Sequence, residues 1–261
     1  MPEFNSPPRV NVLGVGISVL NLDSAVVALR DALAAGRRGY VTVTGVHGVM
    51  ESQEDEALRQ IHNASLLTTP DGMPMVWLSR LAGHKSAGRV YGPDLMESVF
   101  AWTQHSGHTH FFYGGNPGVA EELKAKLEQR YPGIRIVGTF TPPFRPLNPD
   151  ELAGLARQVG DLQPDFFWVG LSTPKQERFM AEHMAKLDAK IMIGVGAAFD
   201  FHAGRVRQAP RWIQRSGFEW LYRLCSEPRR LWRRYFRNNP RFVWRVFGQH
   251  TGLRRVPDCQ N

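Results

Sequence analysis

Over the first two hundred residues, short runs of apolar, β-branched and aromatic residues alternate with longer stretches whose apolar positions recur at helical spacing. Strands are predicted at 10–15 (VNVLGV), 40–45 (YVTVTG), 65–69 (SLLTT), 110–115 (HFFYGG), 134–140 (IRIVGTF), 165–171 (DFFWVGL) and 190–196 (KIMIGVG). Helices are predicted near 23–35, 51–63, 93–106, 117–131, 149–160 and 174–187, where sets such as Leu123, Leu127 and Tyr131 share one face. Strands that are apolar throughout and separated by helices imply a mostly parallel sheet covered by helices, an α/β fold class. No internal repeat interrupts the pattern.

In such sheets ligands gather outside the carboxyl ends of the strands. Small and polar residues cluster there: TGVHG (44–48), TTPDG (68–72), GGNPG (114–118), GLSTPKQE (170–177) and GVGAAFDF (194–201) each follow a predicted strand. Five such loops on one rim predict a site. Within TTPDG, Asp71 is a lone carboxylate among apolar neighbours. One reading is a helix cap for a helix beginning near Met73. The other is a desolvated general base, because burial raises the proton affinity of a carboxylate.

After residue 205 the pattern changes. The stretch 211–247 interleaves arginine with Trp, Tyr, Phe and Leu, and Pro228 and Pro240 are expected to divide it into two or three short helices. Charge sharpens the contrast. Residues 1–200 carry 18 Lys and Arg against 21 Asp and Glu, whereas residues 201–261 carry 14 Arg, no Lys and three acids. The net charge of +8 is therefore a property of the tail. Expected domains are an α/β core over 1–204 and an Arg/aromatic-rich helical appendage over 205–261. Such a tail fits an anionic membrane interface, where each arginine contributes about 1 kcal/mol. A nucleic-acid groove with stacking aromatics fits the same composition.

Other chemistry is weaker. GGNPGVAEEL (114–123) opens a helix after a strand, so backbone N–H groups around Gly115 and Asn116 could meet a phosphate, or the glycines could serve only a tight turn. GVG at 14–16 lacks the third glycine of a dinucleotide fingerprint, with Val19 in its place. HSGHTH (105–110) has three histidines but no Cys, Asp or Glu beside them to complete a metal site. There is no Asp-x-Asp pair, so arginines are the expected countercharge for any bound diphosphate. Two cysteines exclude a disulfide framework. The first ten residues lack the apolar run of a secretory signal, which leads to the expectation of a cytosolic chain.

Six segments in order, TPDGMPMVW (69–77), RVYGPDL (89–95), YGGNPGVAEEL (113–123), GLSTPKQE, GAAFDFHAGRV (196–206) and APRWIQRSGFEWLYRLCSEPRRLWRRY (209–235), together resemble the WecG/TagA/CpsF glycosyltransferase family. The resemblance runs from about residue 10 to 245. It implies a Rossmann-like core and an inverting enzyme that moves a sugar from a UDP-sugar onto a polyprenyl-diphosphate-linked sugar. It also implies a peripheral location on the inner face of the plasma membrane, with the C-terminal appendage docking there and completing the active site. No cofactor, metal or nucleic acid belongs to that picture, and a homo-oligomer stays open.

Carried over by position, Asp71 matches the family's proposed base. Arg89 and Gln176 match pocket residues, and Arg223, Arg230 and Arg233 match appendage arginines that meet the diphosphate. Where many members read Thr-x-Asn, this chain has Val43 and Gly45 around Thr44. His47 is the candidate replacement for the missing polar group. That departure resembles the GumM-like branch and makes glucose the expected donor, with an N-acetylmannosamine-type donor as the alternative.

Overall fold

The computed structural model describes residues 4–259, with the side chains of Arg215 and Arg230 outside that description. In chain order the elements are β1 (Arg9–Val12), β2 (Val15–Ser18), α1 (Leu22–Ala34), β3 (Gly39–Thr44), α2 (Val46–Glu51), α3 (Glu56–Ala64), β4 (Leu67–Pro70), α4 (Met73–Leu81) and α5 (Gly92–Thr103). Then come β5 (Thr109–Gly114), α6 (Val119–Arg130), β6 (Arg135–Phe140), α7 (Pro149–Leu162), β7 (Phe166–Gly170), α8 (Lys175–His183), β8 (Ile191–Gly194) and α9 (Ala198–His202). The C-terminal segment holds α10 (Arg211–Ser216), α11 (Glu219–Ser226) and α12 (Pro228–His250). The main sheet has six strands in the order β4-β3-β8-β7-β5-β6, and its registered pairs β3–β8, β7–β8, β5–β7 and β5–β6 are parallel. The fold is therefore the α/β arrangement expected.

The chain forms two compact units. The first comprises Met1–Ser6, Leu22–Thr42 and Gly92–Arg207. Its core explains why HFFYGG is apolar at every position. In β5, His110 and Phe112 face Phe100, Phe166 and Trp168, while Phe111 and Tyr113 face Phe167 and Phe179. A strand buried on both faces has no side for polar residues.

His110 belongs to this core. Its Nδ1 accepts from Trp168 Nε1 at 3.0 Å and its Nε2 lies 2.9 Å from Thr103 Oγ1. Desolvation pushes its pKa down to about 3, so it is a neutral packed ring. Helix α7 begins with a reciprocal cap between Asn148 and Glu151, with Pro149 in the first turn, as the sequence NPDE dictates.

The second unit comprises Pro7–Asn21, Val43–Tyr91 and Gln208–Asn261. Its core joins Val12, Leu13, Val15 and Ile17 with Val49, Met50, Met75 and Phe242. Two expectations are corrected here. VNVLGV is not one strand: β1 and β2 form an antiparallel hairpin whose turn residues Leu13 and Gly14 both have positive φ, 54° and 86°. That geometry matches the right-handed twist of a two-residue hairpin. The GVG at 14–16 is thus hairpin, not a phosphate-binding turn.

The second correction concerns the tail, whose last helix is not divided at Pro240. Helix α12 runs unbroken through it, and Pro228 stands in its first turn. An interior proline costs about 3 kcal/mol. Burial of Leu231, Asn238 and Phe242 along one face of α12 opposes that cost. Among the described residues no helix is long and apolar enough to cross a membrane.

Candidate active site

Strand β4 is buried at all four positions and delivers Asp71 directly at its carboxyl end. The Asp71 backbone N–H donates to Thr44 O at 2.9 Å, which ties the ends of β4 and β3 together. The approach is so close that a Cβ at Gly45 would lie 2.5 Å from the Asp71 carbonyl oxygen. Glycine is the residue that fits. Helix α4 follows, with Gly72 as its N-cap at φ 92° and no side-chain cap. The N-cap position of α4 is thus Gly72 rather than Asp71.

A backbone bond from Val90 N to Pro70 O, 2.9 Å, lays segment 87–91 beside β4 and sets Arg89 and Tyr91 near its end. The Arg89 guanidinium lies 4.1 Å from the Tyr91 ring centroid. Its Nη1 donates to Gln214 Oε1 at 3.0 Å, and its Nη2 pairs with the Glu219 carboxylate. Gln214 is itself fixed by donating to Ala209 O at 2.7 Å. Both partners of Arg89 thus come from the C-terminal helices α10 and α11.

Glu219 and Arg223 stand four residues apart on α11, and Tyr235 follows on α12. Charge couples these groups to one another and to Asp71. Burial raises the Glu219 carboxyl above its usual range; Asp71 pushes the same way, against the pull of Arg89, Arg223 and a Tyr91 hydrogen bond. Burial likewise raises the phenols of Tyr91 and Tyr235, with Glu219 and Asp71 adding to both. For Arg223 burial is the largest influence and acts downward, but Tyr235, Tyr91, Asp71 and Glu219 outweigh it and hold the guanidinium above its usual range. The result is a half-buried cluster of two carboxyls, two guanidiniums and two protonated phenols. It offers a proton acceptor beside a locus for anionic oxygens, the pairing that displacement of a phosphate-bearing leaving group needs.

The second unit therefore brings together three residues singled out in the sequence: Asp71, Arg89 and Arg223. His47 stands in the first turn of α2, its Nδ1 3.1 Å from the Asn238 side-chain amide and 3.5 Å from Glu51. Thr44 is turned inward, with Oγ1 3.1 Å from His62 Nδ1. Arg233 is exposed, its guanidinium 5.4 Å from the Trp232 ring centroid. The Arg230 side chain lies outside the described residues.

Gly115, Asn116 and Gln176 belong to the first unit. Gly115, at φ 78°, donates to Gly170 O at 3.0 Å. Gln176 is buried, accepts from Gly196 N at 3.0 Å and donates to Glu177 at 3.1 Å. Three loops at the carboxyl ends of β5, β7 and β8 are locked together in this way. The three histidines of HSGHTH do not converge on a metal: His110 is in the core, and His108 Nδ1 meets Ser106 Oγ at 2.6 Å. No group of three or more His, Cys, Asp or Glu among the described residues is arranged to hold a metal ion.

Sequence reasoning missed Tyr91, Gln214, Glu219, Tyr235 and Asn238. Two signals were available. Tyr91 adjoins Arg89 in RVYG, and Glu219 is one of three acids among the 61 residues from 201 onward, placed at helical spacing from Arg223.

The model of the Glycosyl transferase WecG/TagA/CpsF family matches residues 10–256. The chain is 29% identical over 181 residues to the N-acetylglucosaminyldiphosphoundecaprenol N-acetyl-beta-D-mannosaminyltransferase of Bacillus subtilis (strain 168), covering 69% of this chain and 68% of that protein. To the protein of the same name from Bacillus spizizenii (strain ATCC 23059 / NRRL B-14472 / W23) it is 28% identical over 196 residues, covering 75% and 74%.

Proposed function

Because the chain belongs to the Glycosyl transferase WecG/TagA/CpsF family, we propose that it moves a sugar, glucose by our reading, from a UDP-sugar onto a polyprenyl-diphosphate-linked sugar in bacterial surface or exopolysaccharide synthesis. The observation that carries the reading is the coupling of Asp71, at a strand's carboxyl end, to Arg223 of the C-terminal segment, with Glu219 feeling both Asp71 and Arg89. Asp71 takes the acceptor hydroxyl proton as that oxygen attacks the anomeric carbon from the face opposite UDP, which inverts the centre. Guanidiniums stabilise the charge gathering on the departing diphosphate, in a site already organised for it. Tyr91 and Tyr235, held protonated by burial, are hydrogen-bond donors to the same oxygens. His47, Thr44, Gly115, Asn116, Gln176, Arg230 and Arg233 are the remaining proposed substrate contacts.

Glucose is favoured by position 45. With 2.5 Å between a would-be Cβ and the Asp71 carbonyl, an asparagine there does not fit this backbone, so the polar group that many family members offer is missing. The names of the relatives favour the second reading, an N-acetylmannosamine-type donor on an N-acetylglucosaminyl lipid diphosphate. A panel of UDP-sugars with a synthetic polyprenyl-diphosphate sugar, read by mass spectrometry, decides between them. UDP-glucose alone giving product supports the first; UDP-N-acetylmannosamine alone supports the second; no product with any donor removes the function. With arginines as countercharge, the rate is expected to be unchanged in EDTA, and a strict Mg²⁺ or Mn²⁺ requirement would contradict that part.

We also assign the C-terminal segment to docking on an anionic membrane. On α12, Trp232, Phe236, Val243 and Phe247 are exposed at spacings that align them in one stripe, with exposed Arg229, Arg233 and Arg237 beside it. That is the arrangement of an interfacial helix.

A further inference from the structure

Glu219 has no place in the mechanism above, and it sits badly with it: a carboxylate repels the diphosphate that the pocket is proposed to hold. Yet its side chain is only 16% exposed and pairs with Arg89, itself 12% exposed. Glu219 also faces Arg223, one helical turn away, and Asp71, Tyr91 and Tyr235 complete the charged and titratable groups coupled to it. A largely buried guanidinium needs an anion nearby to stay in place. Glu219 pairs with Arg89 and, together with Asp71, acts on Arg223, while Gln214 and the Tyr91 ring fix the orientation of Arg89.

We propose that Glu219 is a resident counter-anion: it holds Arg89 and Arg223 in place in the empty site and yields them to the diphosphate of a substrate. This inference rests on reading the site as a diphosphate site. It makes Glu219 a positioning residue that touches neither the sugar nor the reacting oxygen. Burial raises the proton affinity of Glu219, and a second anion arriving beside it pushes in the same direction.

A glutamine oxygen still accepts from Arg89 and keeps it oriented while the competing charge is gone, so affinity should rise in Glu219→Gln. The test is calorimetric titration of the full chain with two probes, UDP for the donor diphosphate and farnesyl diphosphate for the acceptor's. Glu219→Gln keeps the shape and removes the charge; Glu227→Gln changes net charge equally at a group outside the set that acts on Glu219. Glu219→Gln is expected to tighten at least one probe by about 3–10-fold, the arm that tightens naming the diphosphate, with Glu227→Gln unchanged. Unchanged or weaker binding in both arms overturns the inference, as does equal tightening by Glu227→Gln. Should Glu219→Gln fail to fold, Glu219→Asp withdraws the charge by one methylene and is expected to tighten binding by a smaller factor; no tightening overturns the inference. A wild-type protein that binds neither probe removes the diphosphate site itself, and that failure is distinguishable from the others.

Discussion

Gly45 carries more of the site than its absent side chain suggests. Its missing Cβ lets the main chain at Asp71 close to Thr44, where the 2.9 Å backbone bond forms. Gly45→Ala must push the Asp71 backbone away by several tenths of an ångström. Turnover is expected to fall at least about tenfold, since proton transfer needs hydrogen-bond reach, with a stability loss of about 1–3 kcal/mol by urea denaturation. A variant with native turnover would show that Asp71 tolerates displacement.

The buried histidines give a second residue-scale prediction. His62 and His110 have pKa values pushed down to about 4 and about 3, in both cases chiefly by desolvation. The unfolded chain binds their protons near pH 6.5 and the folded chain does not. Stability is therefore intact above pH 6.5 and falls as pH drops below it. At pH 5 each histidine is expected to have cost about 2 kcal/mol relative to pH 7, measured as a lower urea midpoint. Replacing His110 with Phe should flatten that slope, and an unaltered slope would contradict the assignment.

At the level of elements, the alternation of apolar strands with amphipathic helices made the sheet legible. Seven strands were predicted where eight form among the described residues, because a turn at Leu13–Gly14 hides inside an apolar run and has none of the usual Asn or Asp in its central positions. The helix predicted near 51–63 is α3, which starts later because Asp55 caps it by accepting from Leu58 N at 3.0 Å, and α2 begins within the stretch predicted as the loop TGVHG. Pro240 misled in the opposite sense: proline punctuation is a local rule, and long-range packing overrides it. Phe242, 6% exposed and lodged beside Val12 and Met75, supplies part of that packing. Phe242→Ala is expected to cost about 3–5 kcal/mol. A loss under 1 kcal/mol, by urea denaturation, would mean that α12 is held chiefly by its polar ties. Those ties are Glu54 to Arg237 and Arg241, each 2.7 Å, and Gln249 to Leu13 N at 2.9 Å and Asn11 O at 2.8 Å.

For the whole molecule, the charge division read from the sequence marks the segment that supplies Arg223, Glu219, Gln214 and Tyr235 to the site. Asp71 was legible from its own setting, a carboxylate in an apolar segment, whereas Arg89 and Arg223 were legible only through the family resemblance of RVYGPDL and of the 209–235 stretch. Their partners were not, because only folding brings RVYG to α10 and α11. On the proposed reading the same segment meets the membrane. Phe236→Ser with Phe247→Ser, at positions 69% and 53% exposed, should leave the melting temperature unchanged and cut binding to anionic vesicles about tenfold or more. Undiminished binding would remove the stripe from that role.

The central claim is that Asp71 accepts the proton while arginines hold the leaving diphosphate. It is tested most directly by measuring sugar transfer and UDP affinity side by side for the native protein and Asp71→Asn. The account predicts turnover lower by about 10²–10⁴-fold with UDP affinity retained. Turnover close to native, or a loss explained wholly by weaker UDP binding, would contradict it.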